Sequence, residues 1–89
     1  MVASAAGLLE FPCAFPIKSI GKAGEDFETL VVDILRRHVP DLDESQVQVR
    51  KSRQGQWVAV TLVIQAESQA QIDAIYQDLG RQDRVVWAL

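Results

Sequence analysis

Two residue types that often take part in catalysis occur once each in this chain, as His38 and Cys13. His38 follows two arginines at the end of an apolar-periodic segment, where a helix C-terminus favours a cation, so we expect a capping or surface role. Cys13 stands between a proline and an alanine with no base beside it, which is typical of a partly buried structural thiol. No nucleophile–base arrangement is completed elsewhere, and the sequence therefore predicts a protein that is not an enzyme.

Metal-binding patterns do not occur in the sequence. It contains no CxxC, no cluster of histidine and cysteine, and no calcium-type loop rich in Asp and Asn. A single cysteine excludes an internal disulfide, and this cysteine usage fits a reducing cytoplasm. We therefore expect no metal, no cofactor and a cytoplasmic location.

A glycine loop is a candidate ligand site. Gly21, Lys22 and Gly24 precede a helical segment, and backbone N–H groups at a helix N-terminus can bind an anion. The pattern is neither GxGxxG nor a P-loop, and the carboxylates of Glu25 and Asp26 would repel an anion. Turn-forming glycines are the preferred interpretation, and a ligand loop at Gly21, Lys22 and Gly24 is the alternative.

The segment 57–66 organises the rest of the chain. Val58, Val60, Leu62 and Ile64 alternate with a semi-polar set, so the segment predicts an interior strand with helices packed on its apolar side.

Helices and further strands are predicted on both sides of this segment. The second helix begins with Ser68 and Gln71 in a capping-box pattern, and Gly80 ends it. The predicted elements are, in order, a strand over 15–20, a helix over 24–38, strands over 46–52 and 57–66, a helix over 68–80 and a strand over 83–89.

Local residues refine three of these predictions. Pro12 and Pro16 lack backbone N–H donors, so the first strand should lie at an edge or enter the ladder only after Pro16. The second strand reads as long and flat, which favours edge pairing between copies, although its cations partly discourage it. By strand alternation Trp87 shares a face with Val85 and Leu89, which favours core or edge packing over a ligand platform.

The element order β-α-β-β-α-β predicts an α+β fold. Right-handed crossovers place both helices on one face of a four-stranded antiparallel sheet, which is the ferredoxin-like plait, with the first and third strands central. The chain has 89 residues, enough for one domain, which we place at 11–89 after a flexible tail at 1–10. No transmembrane segment is expected.

Charge and aromatic residues favour a protein partner over a nucleic acid. The formal net charge is −3, and the paired aromatics of an RNP1 pattern are missing. The helix-free sheet face would combine cations with apolar side chains, which suits a partner protein or self-association. A solvated sheet face with scattered apolar residues is the alternative. The candidate interaction surface consists of Lys18, Arg50, Trp57, Thr61 and Val63.

Several short motifs together are similar to a known family. They are Phe11-Pro12…Phe15-Pro16-Ile17-Lys18…Gly21, Arg37-His38 with Pro40 two residues on, Ser52…Gly55 before the central strand, and Tyr76-Gln77-Asp78-Leu79-Gly80…Asp83-Arg84-Val85. On these residues the chain, from about Leu9 to Leu89, resembles the YbeD-like proteins, the DUF493 or UPF0250 family.

The resemblance implies a small cytoplasmic bacterial protein with a ferredoxin-like fold. It also implies similarity to ACT-type regulatory domains, which bind small ligands such as amino acids, commonly at dimer interfaces. Relatives often carry a bulkier apolar residue at position 19, so Ser19 implies looser packing around the first strand if it faces the core.

Two functional hypotheses follow from different premises. The leading one is a non-enzymatic regulatory or interaction module, which contacts another protein or a second copy through its open sheet face and edge strand. The alternative rests on the resemblance: an ACT-like sensor that binds a small carboxylate or amino acid near residues 21–25. A nucleic-acid-binding plait ranks third.

Overall fold

A computed structural model describes residues 10–24 and 26–89. The predicted tail lies outside the described residues except for Glu10, and so does Glu25 of the loop before the first helix. The elements are β1 (Cys13–Lys22), α1 (Phe27–His38), a 3₁₀ turn (Glu44–Gln46), β2 (Gln48–Lys51), β3 (Trp57–Ala66), α2 (Gln69–Gly80) and β4 (Val85–Ala88).

The four strands form one antiparallel sheet in the order β2-β3-β1-β4. β1 and β3 are central and pair over ten residues, from Cys13 opposite Ala66 to Lys22 opposite Trp57. This order and the two helices confirm the predicted ferredoxin-like α+β plait.

The core lies between one sheet face and both helices. β3 spans the predicted range, and Val58, Val60, Leu62 and Ile64 are buried as their alternation predicts. Burial of apolar stripes at helical spacing holds the helices on this face. The helix residues in this core are Phe27, Val31, Ile34 and Leu35 of α1, and Ile72, Ile75 and Leu79 of α2.

β1 begins before Pro16, so the prediction that the strand enters the ladder only after this proline is wrong. Pro16 pairs with Val63 inside the β1–β3 ladder. The backbone N–H and C=O of Lys18 both bond to Leu89, so the backbone groups of Pro16 point the same way, toward the β4 side. Among the described residues β4 does not reach that point, and the proline is tolerated because this half of β1 is locally an edge.

α1 starts at Phe27, three residues later than predicted. Phe27 N–H donates to the carbonyl of Gly24 at 3.2 Å, and β1 extends through Lys22. Gly21 is therefore a strand residue, and the predicted turn is limited to the few residues before α1. Asp26 occupies the N-cap position, but its side chain makes no cap hydrogen bond.

β2 has only four residues, so the predicted long second strand is wrong. Residues 44–46 form a 3₁₀ turn instead, and the Asp43 side chain accepts a hydrogen bond from Ser45 N–H at 3.1 Å. A local side-chain acceptor of this kind competes with the strand ladder. The argument for edge pairing between copies through a long β2 therefore loses its basis.

α2 begins at its predicted cap. Ser68 Oγ accepts a hydrogen bond from Gln71 N–H at 3.1 Å. Gln71 Oε1 accepts from the backbone N–H of Glu67, one residue before the cap, and Gln71 Nε2 donates to the carbonyl of His38 at 3.0 Å. Gln71, the second residue of the capping box, thus also connects α2 to the end of α1.

An irregularity between β1 and β4 redirects Trp87. Ile20 pairs with Trp87 but Gly21 pairs with Val85, which leaves Val86 as an extra residue. This bulge breaks the alternation, so Val85 packs against the core while Trp87 faces away from the helices and is 59% exposed. The prediction that Trp87 shares a packed face with Val85 is wrong for this reason.

Candidate functional site

The helix-free side of the sheet, called the open face below, brings the predicted interaction residues onto one surface. Lys18 of β1 lies opposite Thr61 of β3, and Ala59 of β3 lies opposite Arg50 of β2. All four alternate with residues that are buried under the helices or point to that side. The cations therefore flank β3 on its two sides, with small side chains between them.

A shallow depression on the open face spans β1, β3 and the edge strand β2, and Gln48 and Val49 of β2 also line it. It has a volume of about 480 Å³, and its lining includes Lys18, Arg50, Ala59 and Thr61. The depression exists because alanine and threonine stand between two long side chains. A ligand group above Ala59 and Thr61 would meet a cation on each side.

Trp57 and Val63 lie toward the two ends of the open face rather than in this depression. Trp57 is opposite Lys22 and 39% exposed, whereas Val63 is opposite Pro16 and 45% exposed. They are six positions apart along β3, which corresponds to roughly 20 Å. The five predicted residues thus share a face, but they do not converge on one pocket.

The structure adds apolar residues that the sequence had not placed on the open face. Trp87 lies beside Ile20, and Leu89 lies opposite Lys18 and is half exposed. Simple strand alternation does not predict this arrangement, because the bulge at Val86 shifts the side to which Trp87 points. Lys22 of the predicted ligand loop also belongs to the open face, because it lies in β1 opposite Trp57.

The charges of the sheet are of one sign. The four strands contain four cations and no acid; the cations are Lys18, Lys22, Arg50 and Lys51. Lys51 lies opposite the buried Val58 and so is on the helix side, which leaves three cations on the open face. Within residues 10–24 and 26–89, no carboxylate forms a salt bridge with Lys18 or Arg50.

Gly21 of the candidate ligand loop has a packing role. It is buried, and a Cβ at this position would collide with the backbone carbonyl of Arg84 and lie 2.7 Å from Cζ of Phe27. Ala23 N–H is already bonded to the carbonyl of Gln56 at 2.9 Å. Close packing against Arg84 and Phe27, and not a turn, thus accounts for Gly21 in this strand.

The start of α1 carries an ion pair. Arg84 Nη1 donates to Asp26 Oδ1 at 2.6 Å, and this hydrogen bond holds the pKa of the Asp26 carboxyl below its ordinary value. The guanidinium of Arg84 also lies over the ring of Phe27, 5.8 Å from its centroid. The negative charge of Asp26 at this helix N-terminus disfavours a bound anion.

A second groove adjoins Gly24. It has a volume of about 420 Å³, and its lining includes Glu28 and Lys51 together with Val49 and Val58. Opposite charges on an apolar surface suit a ligand that carries both signs of charge.

His38 connects the two helices. Its Nε2 lies 3.0 Å from Asp78 Oδ2 of α2, and both side chains are mostly buried. The sequence predicts a capping or surface role for His38, whereas the side chain is mostly buried against Asp78. The helical periodicity of the sequence cannot indicate a partner forty residues away. Cys13 is half-buried and packs against the core.

The described residues include no group of three potential metal ligands. None of their helices combines the length and apolar character that crossing a membrane requires.

A family model for a protein of unknown function, DUF493, matches residues 6–89. The chain belongs to the DUF493 family. Its relatives include UPF0250 proteins of Pseudomonas paraeruginosa, 49% identical over 86% of this chain and 84% of the relative, and of Azotobacter vinelandii, 47% identical over 86% and 85%. A UPF0250 protein of Neisseria gonorrhoeae is 39% identical over 90% of this chain and 88% of the relative.

The DUF493 fold is shared by a solved structure. The solution structure of protein HP0495 from H. pylori aligns with a TM-score of 0.72 over 98% of this chain and 91% of that chain, at 13% identity. This likeness shows the fold alone. The family description assigns no function, so the DUF493 match confirms the resemblance of the sequence without supplying an activity.

Proposed function

We propose that this DUF493 protein is a non-enzymatic interaction module that docks a partner protein on its open face. The observation that carries the proposal is a helix-free sheet surface with exposed Trp57 and Trp87 around a centre bordered by Lys18 and Arg50. Tryptophan and arginine are enriched among the residues that dominate binding energy at protein interfaces. The interaction takes place in the cytoplasm, a location that the single cysteine favours.

The distribution of apolar side chains supports docking over plain solvation. Single exposed apolar residues are normal on a monomer. Here Trp87, Leu89 and Ile20 are neighbours on two strands, and Trp57 and Val63 add apolar area along β3. Several exposed apolar residues on one sheet face, with cations among them, are typical of a binding site.

The test is quantitative affinity capture with the full chain as bait in a lysate of its source cell. We expect one dominant protein, whose capture falls severalfold with Trp87→Ala and with Trp57→Ala. Arg37→Ala is the control, because Arg37 is exposed on α1, away from the open face. Circular dichroism checks that each variant keeps its secondary structure. Unchanged capture by both tryptophan variants contradicts the proposal.

A second candidate function is a sensor for a small amino acid or carboxylate, as in ACT-type domains. The groove beside Gly24 favours it, because Lys51 and Glu28 line one cavity with Val49 and Val58. Lys51 would bind a carboxylate and Glu28 an ammonium group.

Thermal unfolding with single amino acids distinguishes the two candidates. A ligand at about 100 times its Kd stabilises the native state by about 2.7 kcal/mol. If the protein is a sensor, one amino acid should raise the Tm. The rise should be lost in Lys51→Ala and kept in Arg50→Ala. A Tm that no amino acid raises contradicts the sensor.

A further inference from the structure

We infer that the partner is a different protein with an acidic, amphipathic segment, and that one of its carboxylates is held between Lys18 and Arg50 above Ala59 and Thr61. This inference rests on the proposed docking function and specifies the partner's chemistry.

The geometry of the open face supports a shared carboxylate. Lys18 and Arg50 stand on the strands that flank β3 and are offset by two residues along it, so their backbones are roughly 12 Å apart. Their side chains border one depression whose floor is formed by Ala59 and Thr61. A carboxylate there accepts hydrogen bonds from the planar guanidinium of Arg50 and from the ammonium of Lys18.

Charge complementarity points to an acidic partner. On the open face the strands carry three cations and no acid, whereas Asp41 and Asp43 of the loop after α1 line a groove with Val63 and Gln65 at one end of that face. The whole chain has a net charge of −3. The helices hold four acids, Glu28, Asp33, Asp73 and Asp78, against two arginines, Arg36 and Arg37. The molecule therefore presents a basic face and an opposite side that includes these acids, which orients an acidic partner toward the sheet.

A second copy of this chain does not fit the same surface. A twofold contact between open faces would pair two surfaces of like charge, each carrying Lys18, Lys22 and Arg50. Contact between the open face of one copy and the acidic helices of another is heterologous, and it continues into filaments unless a ring closes. The open face therefore favours a different protein.

A nucleic acid also fits poorly. The centre of the face holds alanine and threonine, where a base-stacking surface would carry aromatic side chains. Three cations would neutralise few phosphates. The apolar neighbours Trp87 and Leu89 instead suit apolar residues of a protein segment beside its acidic ones.

The experiment is a heteronuclear NMR titration of the full ¹⁵N-labelled chain. The probe is a synthetic amphipathic peptide of Glu, Leu, Trp and Ala, and its matched control carries Gln in place of every Glu. We expect shifts that centre on Lys18, Arg50 and Thr61, and binding of the Gln peptide weaker by about tenfold or more.

Neighbouring residues of β2 provide a matched control variant. Arg50→Glu reverses a charge on the open face, whereas Lys51→Glu reverses one on the helix side of the same strand. We expect Arg50→Glu and Lys18→Glu each to raise the Kd of the Glu peptide by about tenfold, and Lys51→Glu to change this Kd by less than about twofold.

The peptide titrations overturn the inference if the Glu peptide does not bind, if the Gln peptide binds equally well, or if Arg50→Glu and Lys51→Glu reduce the affinity for the Glu peptide equally. Tighter binding of a single-stranded oligonucleotide at the same site would overturn it as well. So would a dimer of the chain that Arg50→Glu dissociates. Affinity capture separates this failure from that of the proposed function. If Trp87→Ala abolishes capture but Arg50→Glu and Lys18→Glu do not, only the acidic partner is wrong; if none of them changes capture, both proposals fail.

Discussion

Arg84 and Asp26 join two parts of the sequence that lie 58 residues apart, through a 2.6 Å hydrogen bond between Nη1 and Oδ1. The pair connects the residue before α1 to the residue before β4. It also holds the guanidinium over Phe27, the first residue of the helix. The residue before α1 is thereby bound to a distant arginine, and its side chain makes no local cap hydrogen bond.

Arg84→Gln should raise the pKa of Asp26 toward its ordinary value of 3.8, because the arginine hydrogen bond is the main cause of its lowering. A lowered pKa stabilises the fold above the ordinary value, and that contribution disappears as the pH falls through the lowered one. The difference in stability between the native protein and the variant should therefore shrink in acid. NMR titration of the side-chain carboxyls measures the pKa. Asp43 is the internal control, because Ser45 lowers its pKa; an unchanged Asp26 pKa would refute the assignment.

Gly21→Ala should destabilise the protein. The new Cβ would collide with the carbonyl of Arg84 and the ring of Phe27, and overpacking of this kind costs about 1–3 kcal/mol. Gly80→Ala is the matched control, since a Cβ there meets no atom within 4 Å apart from its chain neighbours and the backbone of its own helix, and alanine favours helix by about 1 kcal/mol. Urea denaturation measures both. Equal stability of the two variants would contradict the packing role of Gly21.

Ser19→Ala should stabilise the protein. Ser19 is fully buried against the core, and its hydroxyl has no hydrogen-bond partner among the described residues. Removing an unsatisfied buried hydroxyl recovers about 1–3 kcal/mol of desolvation cost. Ser52→Ala should have the opposite sign, because Ser52 Oγ accepts from Trp57 N–H at 3.1 Å. A loss of stability in Ser19→Ala, measured by chemical denaturation, would show that the hydroxyl is satisfied in solution.

Ser68→Ala should lower the free energy of unfolding by about 1 kcal/mol, the usual loss when a helix N-cap acceptor is removed. Ser68→Asp is the control, because aspartate keeps an acceptor for Gln71 N–H. Thermal and urea unfolding of the three proteins give the comparison. If alanine and aspartate behave alike, the cap does not contribute as the hydrogen bond implies.

The sequence by itself determined the elements whose signals are local. The alternation of Val58, Val60, Leu62 and Ile64 predicted β3 with its observed ends, and the capping pattern at Ser68 predicted the start of α2. The order of the elements and the right-handed crossovers then predicted the ferredoxin-like plait. The five residues of the predicted interaction surface share the open face because alternation along a paired strand fixes the side to which each residue points.

Only the tertiary structure decided features that depend on distant partners. Within the described residues the pairing with β4 stops at Lys18 and leaves the backbone of Pro16 unpaired on that side, and Asp26, before α1, binds Arg84. The extra residue Val86 turns Trp87 onto the open face, which no period of two can reveal. The periodicity of a segment indicates its secondary structure and which of its side chains share a face. Strand lengths, bulges and ion pairs instead depend on contacts between segments far apart in the chain.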